Sequence, residues 1–310
     1  MKFHKKLFAL LCCSALLTGC SADSGNSSEL PDLDSIIQEE NGTPVTESAP
    51  EETSALPEET QPEVLPPEIY YLTDHGTQNP AELSEFRAQL ETDGYLWNEC
   101  TLSELPADAG ILLCNSPEED FTSEEVQNLQ PFFDAGGDMM LLLPASESET
   151  RYKFLNNLLE SFSLQMDYDR ITEPGNDSGF TLLQIIGMPE RMLEYVDSMS
   201  VKPVYMQNMR SFHILGDYAT DELFIDVMLQ TSADVIGEPC GGTEDDPLTY
   251  ENEKLNVLLY SRNAVRNNAA VVVCGAADFL NDENFDADTS KNAQNWIYSS
   301  LQWFTAYSSY

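Results

Sequence analysis

Short runs of unbroken apolar residues alternate with amphipathic helical segments in this chain, and that alternation restricts the fold more than any other feature. Ile111-Leu112-Leu113-Cys114 and Met139-Met140-Leu141-Leu142-Leu143 contain no polar position. A strand with one face in water alternates polar and apolar residues, so an unbroken apolar strand is covered on both faces, as in a parallel sheet wrapped by helices. The segment between the two runs reads as one of those helices. Thr122-Ser123-Glu124-Glu125 is a capping box, Val126, Leu129 and Phe133 share a face, and Gly136-Gly137 supplies the stop.

The same pattern extends in both directions. Ile69 to Thr73 is a strand, followed by Asn79-Pro80-Ala81-Glu82 as N-cap, first-turn proline and capping-box glutamate. Leu83, Phe86 and Leu90 form the apolar face of that helix before Gly94 ends it, and Tyr95 to Leu102 is extended. A third helix carries Tyr152, Leu155, Leu158, Leu159 and Phe162. These segments predict an α/β fold with a mostly parallel, doubly wound sheet. From Leu164 the pattern changes: Leu164 to Glu173, Val201 to Met206, Ser211 to Leu215 and Leu223 to Gln230 read as extended pieces, which predicts antiparallel additions in the middle. Asn256 to Ser261 and Ala270 to Cys274 return to strand character, and Ile297, Leu301 and Phe304 lie at helical spacing in a final helix.

The N-terminal part obeys different rules. Residues 1–19 read as a lipoprotein signal peptide: a basic start, an apolar run from Leu7 to Leu17, and Leu17-Thr18-Gly19-Cys20. The run is too short to span a bilayer at about 20 residues. The mature chain is expected to begin at Cys20, with acyl chains on its thiol holding it to the extracytoplasmic face of the cell membrane. Residues 20–67 are rich in Ser, Thr, Pro, Asp and Glu, and from Ser21 to Pro67 there is no Lys or Arg. That composition predicts a disordered acidic tether, with a coil reach of about 35–40 Å. Residues 68–310 remain as the folded domain.

With 54 acidic against 14 basic residues the formal net charge is −40. So acidic a chain excludes nucleic acid as a partner and excludes docking on anionic lipid through basic patches, leaving the lipid as the route of attachment. Cys100, Cys114, Cys240 and Cys274 follow the lipidated cysteine. Cys114 and Cys274 end apolar strands and are expected as buried free thiols. No Cys-x-x-Cys pair, Cys/His cluster or Walker motif is present, so neither a metal nor a cofactor is expected.

Open α/β sheets bind ligands at the carboxyl ends of their parallel strands. Asp74 and His75, Asn115 and Ser116, Ala145 and Ser146, and Asp278 fall there. Asp74, His75, Asn115 and Asp278 are the candidate ligand-facing residues. None sits on a Gly-x-Ser-x-Gly or Gly-x-Cys-x-Gly elbow, so no catalytic set is assigned. His75 in a turn reads as a structural hydrogen-bonding residue, and His213, between Phe212 and Ile214, as part of the packing. Asp282, Asn284, Asp286 and Asp288 alternate like calcium ligands. Counted from Asp282, however, the sixth and twelfth positions are Ala287 and Ala293 rather than Gly and Glu, so a solvated turn leading to a Thr289-Ser290 cap is expected.

Ile69-Tyr70-Tyr71-Leu72-Thr73-Asp74-His75-Gly76 resembles the opening strand of GldG-like auxiliary proteins of ABC transporters, the gliding-motility type. Leu105 to Leu113, Phe132 to Leu143, Leu229-Gln230-Thr231-Ser232, and Val271 to Leu280 followed by Asn292 and Trp303 are similar to later steps of that family in the same order. The resemblance covers nearly all of residues 69–310. It departs at Thr77, where the family often has Glu, and in offering a lipid at one end where many members have membrane helices at both. The resemblance implies a class I glutamine amidotransferase-like or flavodoxin-like sandwich without the catalytic residues. It also implies a nonenzymatic role as auxiliary or scaffold component of an ABC transport system, with permease and ATPase subunits as partners. Two alternatives remain: a secreted amidotransferase-like hydrolase, which needs a nucleophile beside His75, and a small-molecule-binding lipoprotein, which needs an enclosed pocket.

Overall fold

A computed structural model describes residues 66–187, 203–216, 222–232, 234–242 and 250–307. Cys20, the signal segment, nearly all of the tether and positions 201 and 202 lie outside the described residues. The first half of the domain runs β1 (Glu68–Leu72), α1 (Ser84–Thr92), β2 (Leu96–Cys100), β3 (Ile111–Asn115), α2 (Ser123–Asn128), α3 (Gln130–Asp134), β4 (Asp138–Leu142) and α4 (Lys153–Glu160). The second half contains β5 (Leu164–Met166), β6 (Asp169–Thr172), β7 (Thr181–Ile185), β8 (Val204–Met206), β9 (Phe212–Ile214), β10 (Leu223–Thr231), β11 (Val235–Pro239), β12 (Tyr250–Glu253), β13 (Asn256–Asn263), β14 (Ala269–Cys274), α5 (Asp282–Phe285) and α6 (Asp288–Tyr307).

The architecture is α/β, with one large mixed sheet in the order β2-β1-β3-β4-β14-β13-β10-β7-β8. Its first five strands are parallel neighbours. From β13 onward the pairings are antiparallel, and β5 and β9 pair beside β13. A separate three-stranded sheet, β12-β11-β6, completes the additions. The unbroken apolar strands are buried on both faces, for the reason their composition dictates. Ile111, Leu113, Met140, Leu142 and Val272 point to α1 and α6, packing with Phe86, Leu90, Trp296 and Leu301. Leu112, Cys114, Met139, Leu141 and Val271 point to the opposite layer, against Phe132, Phe133, Leu155 and Phe162. Each such side chain contributes about 1.5–3 kcal/mol on burial, and the strand period of two divides them between the layers. Cys114 and Cys274 are buried free thiols, as are Cys100 and Cys240.

Several local expectations are corrected. The helix expected from Ser123 onward is two helices that meet at Leu129, with Pro131 opening the second, because proline lacks the N–H that would continue the first. Thr122 and Glu125 do form the reciprocal capping box. Asn79 caps only a 3₁₀ turn through Ala81 N, and Glu82 binds the Gln78 amide instead of returning to the cap. The strands expected at Asn256 to Ser261 and Ala270 to Cys274 are present as β13 and β14, an antiparallel hairpin whose second strand also pairs in parallel with β4. The acidic run near Asp282 is the short helix α5, and α6 begins at Asp288 rather than behind a Thr289-Ser290 cap.

Candidate functional site

The chain leaves β1 for β2 on one side and returns to β3 on the other, so the carboxyl ends of β1 and β3 border the sheet's topological switch point. Asp74 and His75 follow β1 and Asn115 ends β3, so the fold brings three of the four candidate residues together. The loops that border this crevice are bonded to one another. Gln78 N donates to the Asn115 carbonyl at 3.0 Å, and Tyr71 Oη donates to the Gln78 carbonyl at 2.6 Å. Glu118 N and Glu119 N both donate to the His75 carbonyl, at 2.9 and 3.0 Å. Asn115, expected to face a ligand, has no solvent exposure; its Oδ1 accepts from Ser116 Oγ at 2.9 Å, and its Nδ2 is buried without an acceptor.

His75 bridges two carboxylates. Its backbone is left-handed (φ 60°), and the ring lies edge-on to Phe121 with its side chain 8% exposed. Nε2 is 3.2 Å from Glu125 Oε2. Nδ1 is 2.9 Å from Asp74 Oδ1 but outside the angular range of a hydrogen bond. Both carboxylates are anchored, Asp74 Oδ2 by Leu102 N at 3.0 Å and Glu125 Oε2 by Thr122 N at 2.7 Å. Burial works against a charged ring, yet the Asp74 and Glu125 carboxylates outweigh it and raise the His75 pKa. Burial likewise pushes Glu125 up, but the Thr122 and His75 contacts hold it below the ordinary value. The ligand atoms of Asp74, His75 and Glu125 lie within 4.8 Å of one another. As placed they fit a metal poorly, because each carboxylate lies only 2.9 or 3.2 Å from its own ring nitrogen, which leaves no room for an ion between them. Those nitrogens face carboxylates rather than a hydroxyl or thiol, so the His75-based hydrolase arrangement has no nucleophile on its imidazole.

This bridge gives a pH-dependent stability. A raised histidine pKa contributes stability that is complete below the unfolded value of about 6.5 and is lost as pH rises through the folded value. His75→Gln is therefore expected to cost about 1.5–3 kcal/mol at mildly acidic pH, with the difference from wild type shrinking at alkaline pH. Urea titrations of both proteins across that range check it; a difference that stays constant with pH would show that the imidazolium is not what stabilises the loop.

Asp278 lies apart, at the start of a 3₁₀ turn after β14. Burial raises its pKa, and a hydrogen bond from the Asn208 side chain only partly offsets this.

A second polar cluster escaped the sequence reading. Asp167, Asp169, Arg210 and Ser211 are each 2% exposed or less. Ser211 Oγ lies 2.9 Å from Asp167 Oδ2 and 2.8 Å from Asp169 Oδ2, and Ser211 N donates to Asp169 Oδ1 at 2.8 Å. Burial lifts Asp169 to about 6 against those Ser211 bonds, and burial lowers Arg210. Arg210 Nη1 contacts Met166 Sδ at 2.9 Å, while its Nε has no acceptor. His213 is not simply packed: its side chain is 43% exposed, and Nδ1 is 2.5 Å from Asp167 Oδ2. This is not a Ser-His-Asp triad, because the carboxylate stands between the hydroxyl and the imidazole, so the histidine cannot take the serine proton. The signal in the sequence was an arginine, rare in this chain, beside Ser211 just before β9. Its acidic partners lie more than 40 positions earlier.

No protein-family profile matches the sequence, and neither does any curated protein. Among solved structures, the mmIFT52 N-terminal domain is similar at 13% identity and a TM-score of 0.55, covering 77% of this chain and 97% of that one. A ThuA-like protein from Bacteroides uniformis follows at 12% identity and a TM-score of 0.48, over 80% and 95% of the two chains. An exo-β-1,4-mannosidase from an Opitutaceae bacterium gives 11% and 0.41, over 77% of this chain and 36% of its own. At such identity the first likeness carries the fold alone: this chain shares the α/β architecture of the mmIFT52 N-terminal domain.

Proposed function

We propose that this protein is a nonenzymatic, lipid-anchored domain at the extracytoplasmic face of the cell membrane, acting as an auxiliary or scaffold component of an ABC transport system. The observation that carries the reading is the bonded switch point: at the crevice where an open α/β sheet would hold a substrate, Tyr71 bonds Gln78, Gln78 bonds Asn115, and Glu118 and Glu119 bond the His75 carbonyl. A domain whose ligand edge is spent on its own loops is suited to presenting a surface rather than turning over a substrate. The Leu17-Thr18-Gly19-Cys20 sequence supports the anchor, and the ordered resemblance to GldG-like proteins supports the transporter. Within this reading the sheet is a class I glutamine amidotransferase-like sandwich, supported by the β2-β1-β3-β4-β14 order, which follows the flavodoxin-like sequence of strands.

Two measurements in native cells test it. Labelled palmitate is expected on the wild-type protein and not on a Cys20→Ala variant, which should leave the membrane fraction. Affinity capture of the crosslinked wild-type protein is expected to recover an ABC permease and its ATPase. Recovery of neither subunit would overturn the transporter role while leaving the anchor to stand on the labelling.

A further inference from the structure

A recess of about 60 Å³ opens beside the carboxyl end of β14, with the Asp278 turn in its wall. Its lining comes from distant parts of the chain. Phe180 precedes β7, Tyr205 lies in β8, Asp278 and Phe279 form the 3₁₀ turn, and Asn284 belongs to α5. Each part is fixed. Leu182 pairs with Tyr205 across the β7–β8 ladder. Asn284 Nδ2 donates to the Asp278 carbonyl at 3.0 Å, and Gln294 Nε2 donates to the Phe279 and Phe285 carbonyls at 2.7 and 2.8 Å.

The chemistry of this lining is selective. Asp278 is partly buried, accepts a hydrogen bond from the Asn208 side chain, and has no cationic side chain paired with it among the described residues. A carboxylate withdrawn from water is costly unless a positive charge faces it. An anion would be repelled, in a chain of net charge −40. A bare divalent ion needs several oxygen ligands, and among the described residues Asp278 is the only carboxylate in the lining. Aromatic side chains attract a diffuse, weakly hydrated cation, and three of the lining residues, Phe180, Tyr205 and Phe279, are aromatic. At ~10–15 Å³ per water-sized group the space admits about four to six such groups, the size of a methylated ammonium head.

We propose that this recess binds a small organic ammonium group, with Asp278 as counter-ion and Phe180, Tyr205 and Phe279 as its aromatic walls. The site does not depend on the transport reading. The test uses the full-length protein in detergent at physiological salt, with choline, tetramethylammonium and the uncharged choline isostere dimethylbutanol as probes in calorimetry and ligand-observed NMR. Choline and tetramethylammonium are expected to bind, and dimethylbutanol to bind at least about tenfold more weakly. Asp278→Asn and Tyr205→Ala should each weaken choline by about tenfold. Asp286→Asn, at an exposed carboxylate outside the recess, should change nothing. Equal binding of choline and its isostere, absence of choline binding to the wild-type protein, or a loss in Asp286→Asn matching that in Asp278→Asn overturns the proposal. The comparison of choline with its isostere needs no variant, so it decides the matter even if a substitution prevents folding.

Discussion

Gly275→Ala is expected to lower the unfolding free energy by about 3 kcal/mol, the upper end of what overpacking typically costs, because the clash is with a part that cannot move. A Cβ at Gly275 would lie 2.0 Å from the Arg210 carbonyl oxygen, 3.1 Å from its carbon and 3.3 Å from its nitrogen. All three are backbone atoms, and both segments are tied. Arg210 N donates to the Gly275 carbonyl at 3.0 Å, and Gly275 N donates to the Val257 carbonyl at 2.8 Å. Relief therefore requires the loop bearing Arg210 to leave the end of β14, and the polar cluster to move with it. Gly110 is the control, since its Cβ would meet nothing nearer than the Glu68 carbonyl at 3.4 Å; alanine there should cost less than about 1 kcal/mol. Denaturant midpoints of the two variants make the comparison, and similar losses at both sites would refute the close-contact explanation.

Asp169→Ala should cost about 1–3 kcal/mol, through lost buried hydrogen bonds rather than packing. The substitution takes the acceptor from Ser211 N and removes a carboxylate whose charge acts on the buried Arg210 guanidinium. Asp169→Asn separates the charge from the hydrogen bond. Burial holds the Asp169 carboxyl at about 6 in the folded state, against 3.8 as its ordinary value. Between those values the folded chain keeps a proton that the unfolded chain has released, so this group's contribution to stability falls as pH rises through the window. The asparagine variant cannot titrate there. Wild-type stability minus variant stability should therefore decline from acid to neutral pH by on the order of 2–3 kcal/mol. Taking the difference cancels the titration of the many surface carboxylates, and a flat difference would mean that Asp169 ionises like an exposed acid.

The two layers of the parallel half were legible because each rests on a local signal. Ile111 to Cys114 and Met139 to Leu143 carry no polar residue, and Thr122 and Glu125 satisfy each other over a single turn. The break at Leu129 was missed although Pro131 announced it, because the apolar face of Val126, Leu129 and Phe133 runs across the break with helical spacing. The strands β11 and β12 were missed for the opposite reason: they are short and rich in ordinary loop residues, and only their neighbours make them strands. His213 was read as packing because its sequence neighbours are apolar, whereas its partner Asp167 reaches it only through the pairing of β5 with β9.

What the sequence determined by itself is the kind of structure: an acidic, lysine-poor chain whose doubly buried strands and capped helices commit it to α/β layers, since strand burial and helix capping are decided within a few residues. It also placed Asp74, His75, Asn115 and Asp278 at strand ends, where function would be sought. Which of these meet, and what they meet, only the tertiary structure decided. Asp74 and His75 find Glu125 about 50 positions away, Asn115 turns inward, and Asp278 lines a recess together with Phe180 and Tyr205. The physical reason is range. Propensity and capping act between residues a turn apart, whereas the charge on a buried side chain is settled by whatever the fold brings to within a few ångströms of it.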